Sequence, residues 1–508
     1  MSKLLEEFKE YLNRMKQYDH VCTLLYWDMK TAAPKLGQAA HVEAMTHFSS
    51  ENFALATSEK MGEMLDGLSA QEEFEQLSDT WKFIVKNMKK DFDRDRRIPP
   101  ELYKTFVQAQ AESGNAWEEA KEASDFSLFA PHLQKMIDLT REMTSYTDPD
   151  KEIYDALLDQ YEEGMDSATI DRLFEELKKE LIPFVKAILA RERSENREQS
   201  ENNKAFSRYF DPDAQRKVQD MLLSYIGFRR DAGSVGETEH PFTLNFSSRD
   251  VRVTNHYYEH DPLSAIFSAI HEGGHGIFEQ NVNPEYDNTR AGSCRYMGLH
   301  ESQSRFYENI LGRNKNFWLP VYDQLCGLLP QFKEIPLEDF YREINHVKNS
   351  LIRVNADEVT YCFHIILRYE MEKAILRDHV PVMELPALWN QKMEEYLQIT
   401  PANDAEGILQ DMHWSDGSFG YFPSYLLGSI YDGMFLDTLR QELGDVDVLL
   451  KEGRIREITQ WLNQKIHWYG STRRPGEVIS AVCGREISAE PLIRYFKEKY
   501  GEIYGISF

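Results

Sequence analysis

Read for its apolar positions, the chain is dominated by amphipathic helices. Leu, Met, Phe and Ile recur at the 3.6-residue period between mixed-charge faces over residues 3–18, 36–66, 70–92, 100–123, 167–196 and 212–231. Breaks are expected at Pro99-Pro100, at Asp148-Pro149 and around Gly233. One stretch, 240–258, changes period: Thr243, Leu244, Asn245 and Phe246 alternate and are followed by Val251, Arg252, Val253 and Thr254, the pattern of a small hairpin or short sheet. An open strand edge there offers main-chain hydrogen bonds to an extended peptide, although a hairpin that only builds the fold reads the same way. The helical period then resumes. Asp261 is placed to cap, Pro262 fits the first helical position, and Leu263, Ile266, Phe267, Ile270, Gly274, Ile277 and Phe278 make one apolar stripe.

The polar residues at the edge of that stripe carry the chemistry. His271-Glu272-Gly273-Gly274-His275 sets two imidazoles at i and i+4 on one side of a helix, the spacing that lets one element give a tetrahedral Zn²⁺ two ligands. Glu272 can reach a metal-held water without ligating the metal, so it reads as the general base. The plain alternative is a helix with two partly buried, hydrogen-bonded histidines. A third ligand decides between these readings. After a connection rich in Asn, Pro, Asp and Gly, a new helical pattern opens near Met297 and carries His300-Glu301-Ser302-Gln303-Ser304-Arg305. Glu301 is the expected third ligand. Its neighbour His300 competes, but adjacent helical residues point ~100° apart and only one faces the ion. Gly273 and Gly274 each cost the helix roughly 1 kcal/mol against alanine, which implies close approach by a neighbouring element or by substrate.

Composition changes the picture in fewer ways. No linker or low-complexity tract divides the 508 residues, so one helical body is expected, with a mainly helical part over 1–235 and the metal site within 236–508. A formal net charge of −27 argues against nucleic acid and anionic membrane as partners. Residues 1–10 lack the apolar core of a signal peptide, and no run approaches the ~18 apolar residues of a membrane span. Cys22, Cys294, Cys326, Cys362 and Cys483 are odd in number and show no CxxC spacing, against a disulfide framework or a thiolate zinc site; a reducing cytoplasm is expected. Cys294, near the proposed site, is expected to be a buried bystander.

Further segments extend the pattern in a fixed order: His240-Pro241-Phe242, Asp250-Val251-Arg252-Val253-Thr254, the HEGGH and HESQSR runs, Ile352-Arg353-Val354-Asn355-Ala356-Asp357-Glu358, and Gly407-Ile408-Leu409-Gln410-Asp411-Met412-His413-Trp414. Together they resemble the signatures of the M32 metallocarboxypeptidases, the carboxypeptidase Taq type. Trp27-Asp28 with Thr31 and Pro34 also fits, and no departure falls at a proposed ligand or at the base. The resemblance implies a mainly α, zincin-like single peptidase domain with a deep cleft and a short sheet beside the metal helix. It implies one Zn²⁺ per chain, removal of C-terminal residues one at a time, and a homodimer. Co²⁺ or Mn²⁺ suits the same ligands.

Roles for the remaining residues follow from the resemblance. His413, Tyr421 and Tyr425 are candidates for stabilising the oxyanion, with a packed aromatic turn as the alternative. A guanidinium grips a carboxylate through two parallel hydrogen bonds, and Arg353 is the leading clamp for a substrate's free C-terminus. Arg252 and Arg305 are rivals, and a salt bridge internal to the bundle is the alternative for each arginine. His240 is a candidate for lining the substrate site. Two other functions stay open: a zinc oligopeptidase cutting internal bonds, and a catalytically silent peptide-binding protein, against which the intact base and ligands weigh.

Overall fold

The expected helices form, but caps rather than apolar periodicity set many of their ends. The structure, a computed structural model, describes residues 2–195 and 205–506. The first helix runs from Lys3 to Thr31, well past residue 18, although nothing beyond Leu12 on it is buried. The helices expected over 36–66 and 70–92 are each divided, into Gln38–Ala56 and Glu59–Ser69, and into Gln71–Gln76 and Asp79–Asp95. The divisions fall beside Ser58 and Ser78, whose hydroxyls accept from the backbone N–H of Met61 and Trp81 and start new helices. Pro100–Ala123 matches its expectation. The helix expected over 167–196 is Ser167–Glu195, residue 196 lying outside the described residues. That expected over 212–231 is Pro212–Ile226, stopped by Gly227 at φ 119°.

The sheet has three strands in the order β1-β3-β2: β1 Gly233–Glu237, β2 Thr243–Ser247 and β3 Asp250–Asn255. The expected hairpin is β2 against β3, antiparallel, and β1 adds parallel to β3. Gly233 therefore opens a strand where a break was expected. Its sequence, Gly-Ser-Val-Gly-Glu, has little strand signal; it is chosen for thinness. A Cβ on Gly233 would stand 2.5 Å from the carbonyl oxygen of Val251, and one on Gly236 would stand 2.8 Å from the Trp27 ring. β2 is left as an outer strand.

The HEGGH helix, Pro262–Gln280, starts as read: Asp261 accepts from the N–H of Ser264 and Pro262 takes the first turn. Ile266, Phe267, Ile270, Ile277 and Phe278 are buried in one continuous core that extends from Leu5 to Tyr504, with a small satellite at Leu102, Ala109, Met136 and Leu139. The glycine pair admits neighbouring helices rather than substrate. A Cβ on Gly273 would meet side-chain tips of Leu223 and Ile226 at 2.7 Å, whereas one on Gly274 would meet backbone, Ser304 Cα at 2.7 Å and Gln303 O at 2.8 Å. On the other flank of the Glu301 helix, Met297–Arg305, a Cβ on Gly428 would stand 3.0 Å from Ser302 N and 3.2 Å from Glu301 Cγ. Glu301 is thus carried on a helix gripped between two glycine contacts. Gly274→Ala gains roughly 1 kcal/mol of helix propensity but overpacks against backbone that cannot rotate away, so a net loss of about 1–2 kcal/mol is expected in denaturant unfolding. Gly273→Ala, facing flexible side chains, is expected to lose less, and an equal loss at both positions would contradict this account. No described helix is long and apolar enough to cross a membrane.

Candidate metal centre and substrate site

Helical spacing brings the rings of His271 and His275 to 5.0 Å, and the Glu301 helix supplies the third group from the opposite side. Glu301 Oε2 lies 3.9 Å from His271 Nε2 and 3.7 Å from His275 Nε2. These half-buried groups each present one ligand atom, all within 4.8 Å of one another. They are too far apart to hydrogen-bond and close enough to share an ion. Two imidazole nitrogens and one carboxylate oxygen are a donor set that suits Zn²⁺ with a position left open. The competitor His300 faces elsewhere: its ring lies flat on His275, and its Nε2 donates to Glu279 at 2.9 Å.

The surroundings orient these groups. His271 donates from Nδ1 to Glu308 at 2.9 Å, and Glu308 accepts from Arg313 Nη2 at 2.9 Å, which fixes the tautomer and leaves Nε2 for a metal. Burial works against a charge on His271, yet Glu308 and Glu301 push its pKa up to about 9. A field that holds a proton so firmly also favours a cation. Glu308 follows Glu301 by one heptad, through the π-helical turn Phe306–Gly312, a spacing that sequence reading passed over. Glu272 is buried, and Thr243 Oγ1 on β2 donates to its Oε2 at 2.6 Å. Burial raises its carboxyl above the usual range, against His271 and that hydrogen bond.

A line of contacts leads from Glu301 to the clamp candidates. Arg305 Nε donates to Glu301 Oε1 at 2.7 Å and its guanidinium sits 4.0 Å over the Tyr361 ring. Tyr361 Oη accepts from Arg353 Nη1 at 3.0 Å. Arg353 also donates through Nε and Nη2 to Asp411 Oδ1, at 3.0 and 2.8 Å, while Asp411 Oδ2 accepts from Arg368 Nε at 2.6 Å. Two buried guanidiniums therefore share one carboxylate, and the cluster is net positive. Arg353 lies 5.1 Å over the Tyr425 ring, and Tyr425 Oη is 3.3 Å from His413 Nε2. Tyr421 packs on both, with ring centroids 5.6 Å from His413 and 5.0 Å from Tyr425.

At pH 7 His413 is a neutral imidazole with one N–H, and Tyr421 and Tyr425 keep their phenolic protons. Burial, with Arg353 and Arg368 overcoming the pull of Asp411, holds His413 down to about 4. Burial, with Glu301 nearby, lifts Tyr421 to about 12, and burial beside Tyr421 lifts Tyr425 well above 10. Arg353, His413, Tyr421 and Tyr425 are thus brought together. Arg252 is held apart on β3, donating to Asp250 at 2.9 and 2.8 Å and stacked 4.2 Å over Phe246. His240 is exposed on the connection from β1 to β2. Tyr361 and Arg368 were missed in the sequence; their only signal was proximity to the IRVNADE run. Cys294 is buried, with Sγ 3.5 Å from the Tyr296 carbonyl.

Residues 7–500 match the carboxypeptidase Taq (M32) metallopeptidase family. The chain is similar to Carboxypeptidase 1 of Bacillus subtilis, 42% identical over 500 residues that cover 98% of each chain. It is 33% identical over 491 residues, 95% of each chain, to Thermostable carboxypeptidase 1 of Thermus thermophilus. The solved M32 carboxypeptidase from Deinococcus radiodurans R1 superposes with a TM-score of 0.94 at 29% identity, over 99% of this chain and 100% of that one. With the zincin-like helical body and the site geometry, these likenesses mean that the chain belongs to the M32 family and is a metallocarboxypeptidase.

Proposed function

We propose that the enzyme removes C-terminal residues from peptides with Zn²⁺ held by His271, His275 and Glu301 and with Glu272 as general base. The observation that carries this reading is the convergence of those three ligand atoms beside a buried carboxylate, linked through Arg305 and Tyr361 to the net-positive Arg353 cluster. Zn²⁺, when bound, supplies a Lewis acid that brings the pKa of a water towards ~7; Co²⁺ or Mn²⁺ suits the same donors. Glu272 takes the water's proton and returns it to the leaving amine, with Thr243 holding its carboxylate in place. The N–H of neutral His413 and the phenolic O–H groups of Tyr421 and Tyr425 donate to the charge that develops on the scissile carbonyl oxygen. A peptide lying along the outer strand β2 passes the base at Thr243.

Arg353 grips the terminal carboxylate. Asp411 and Tyr361 fix its plane, and a guanidinium has more N–H groups than these partners use, so donors remain for substrate. Arg353→Ala is expected to reduce kcat/KM on free-carboxylate peptides by about 1.5–3 kcal/mol, roughly 10–150-fold. Amidating the peptide is expected to cost the wild type much and the variant little, because the lost charge has no partner left. An arginine that only braces Asp411 would leave the amidation penalty intact in the variant, and the clamp would then lie elsewhere. Internal cleavage of C-terminally blocked peptides at undiminished rate would favour an oligopeptidase.

A further inference from the structure

The two histidines of the metal centre are oriented by different means. His271 is fixed through Nδ1 by Glu308, the direct device. Among the described residues His275 has no such carboxylate: its buried Nδ1 meets only the His300 backbone, without a well-formed hydrogen bond. What meets its ring is His300, with centroids 4.3 Å apart and planes within 16°. His300 is fixed in turn. Its Nε2 donates to Glu279 Oε1 at 2.9 Å, and the edge of Phe278 abuts it at 5.4 Å. Glu279 lies one turn beyond His275 on the same face of the HEGGH helix and is 2% exposed. Its carboxylate also accepts from Asn245 Nδ2 of β2, from Ser293 Oγ at 3.0 Å and from the Cys294 backbone N–H at 3.3 Å.

An imidazole without a firm anchor at Nδ1 can pivot about its bond to Cβ, and the pivot carries Nε2 away from an ion. A second ring held flat against it blocks that motion. We infer that Glu279 and His300 are a positioning pair for the metal centre: Glu279 clamps His300, and His300 fixes the plane of His275 by stacking while anchoring the helix turn that presents Glu301. The inference rests on the proposed metal site and gives the other half of the His300-Glu301 pair a task distinct from ligation. It also ties that centre to β2 through Asn245.

The test compares the full-length wild type with His300→Ala, His300→Phe and Glu279→Gln. Zn²⁺ affinity is measured by chelator competition, the visible spectrum is recorded with Co²⁺ as probe, and metal-free thermal unfolding is followed alongside. His300→Ala and Glu279→Gln are expected to bind Zn²⁺ about 10–100-fold more weakly, the range for partners that orient a ligand, and to change the Co²⁺ bands. His300→Phe, which keeps a flat ring but cannot donate to Glu279, is expected to fall between these and the wild type. A pair that only packs would lower the unfolding temperature and leave affinity and spectrum unchanged in all the variants, which overturns the inference while the metal site stands. A wild type that binds no Zn²⁺ overturns both. Should Glu279→Gln fail to fold, the two His300 variants decide.

Discussion

Glu272→Gln is expected to keep its metal and lose turnover by about 10²–10⁴-fold or more. The substitution preserves the size of the side chain and an oxygen to accept from Thr243, which now reaches Glu272 Oε2 at 2.6 Å, so the local packing has little reason to change. It removes the one property the reaction needs from this position, the ability to take a proton from water. The side chain is buried, and the other carboxylates near His271 are engaged, Glu308 accepting from His271 and Arg313 and Glu301 from Arg305, so neither is a ready substitute base. Elemental analysis for bound metal and steady-state kinetics on a free-carboxylate peptide check it together. Loss of metal with activity would move Glu272 into the coordination sphere, and full activity would require a different base.

What the sequence disclosed about this site is what one helix can disclose alone. The i,i+4 histidines, the Asp261 cap and the apolar stripe are properties of a single element, and Pro262–Gln280 has all of them. The preference for Glu301 over His300 rested on the phase of a second helix, and the structure turns Glu301 to the histidines and His300 onto the ring of His275. Other features depend on how distant elements meet. Glu308 reaches His271 from a π-helical turn, and Gly274 is explained by the backbone of Gln303 and Ser304 lying against it. Arg353 was read for its charge. That Arg368 and Asp411 share that charge belongs to the packing of Thr360–Leu376 against the 398–421 connection, which no periodicity records. The strand at Gly233 was hidden for a related reason: its glycines answer to Trp27 and Val251, not to strand propensity. Ser58 and Ser78 are different, since serine caps were visible but were outweighed by the apolar period running across them.

Stripping the metal is expected to abolish peptidase activity, and Zn²⁺ or Co²⁺ at about one ion per chain to restore it. Within that dependence Glu301→Ala is expected to be the most damaging change outside the two histidines, for two reasons that add. It removes the only anionic ligand of the set, leaving two neutral imidazoles to hold a divalent cation. It also deprives Arg305 of its partner at 2.7 Å, and a guanidinium that is 8% exposed then faces the ion with its charge less well matched. Zn²⁺ affinity should therefore fall by more than the ~100-fold that bounds partners outside the coordination shell, and so by more than for His300→Ala. Glu301→Gln separates the two reasons: it keeps an oxygen for the metal and for Arg305 but lacks the charge, so affinity between wild type and Glu301→Ala is expected. Equilibrium metal binding on the three proteins measures this directly. Full activity in rigorously metal-free enzyme would dismiss the metal, and a larger loss of Zn²⁺ binding in His300→Ala than in Glu301→Ala would reverse the assignment of the third ligand.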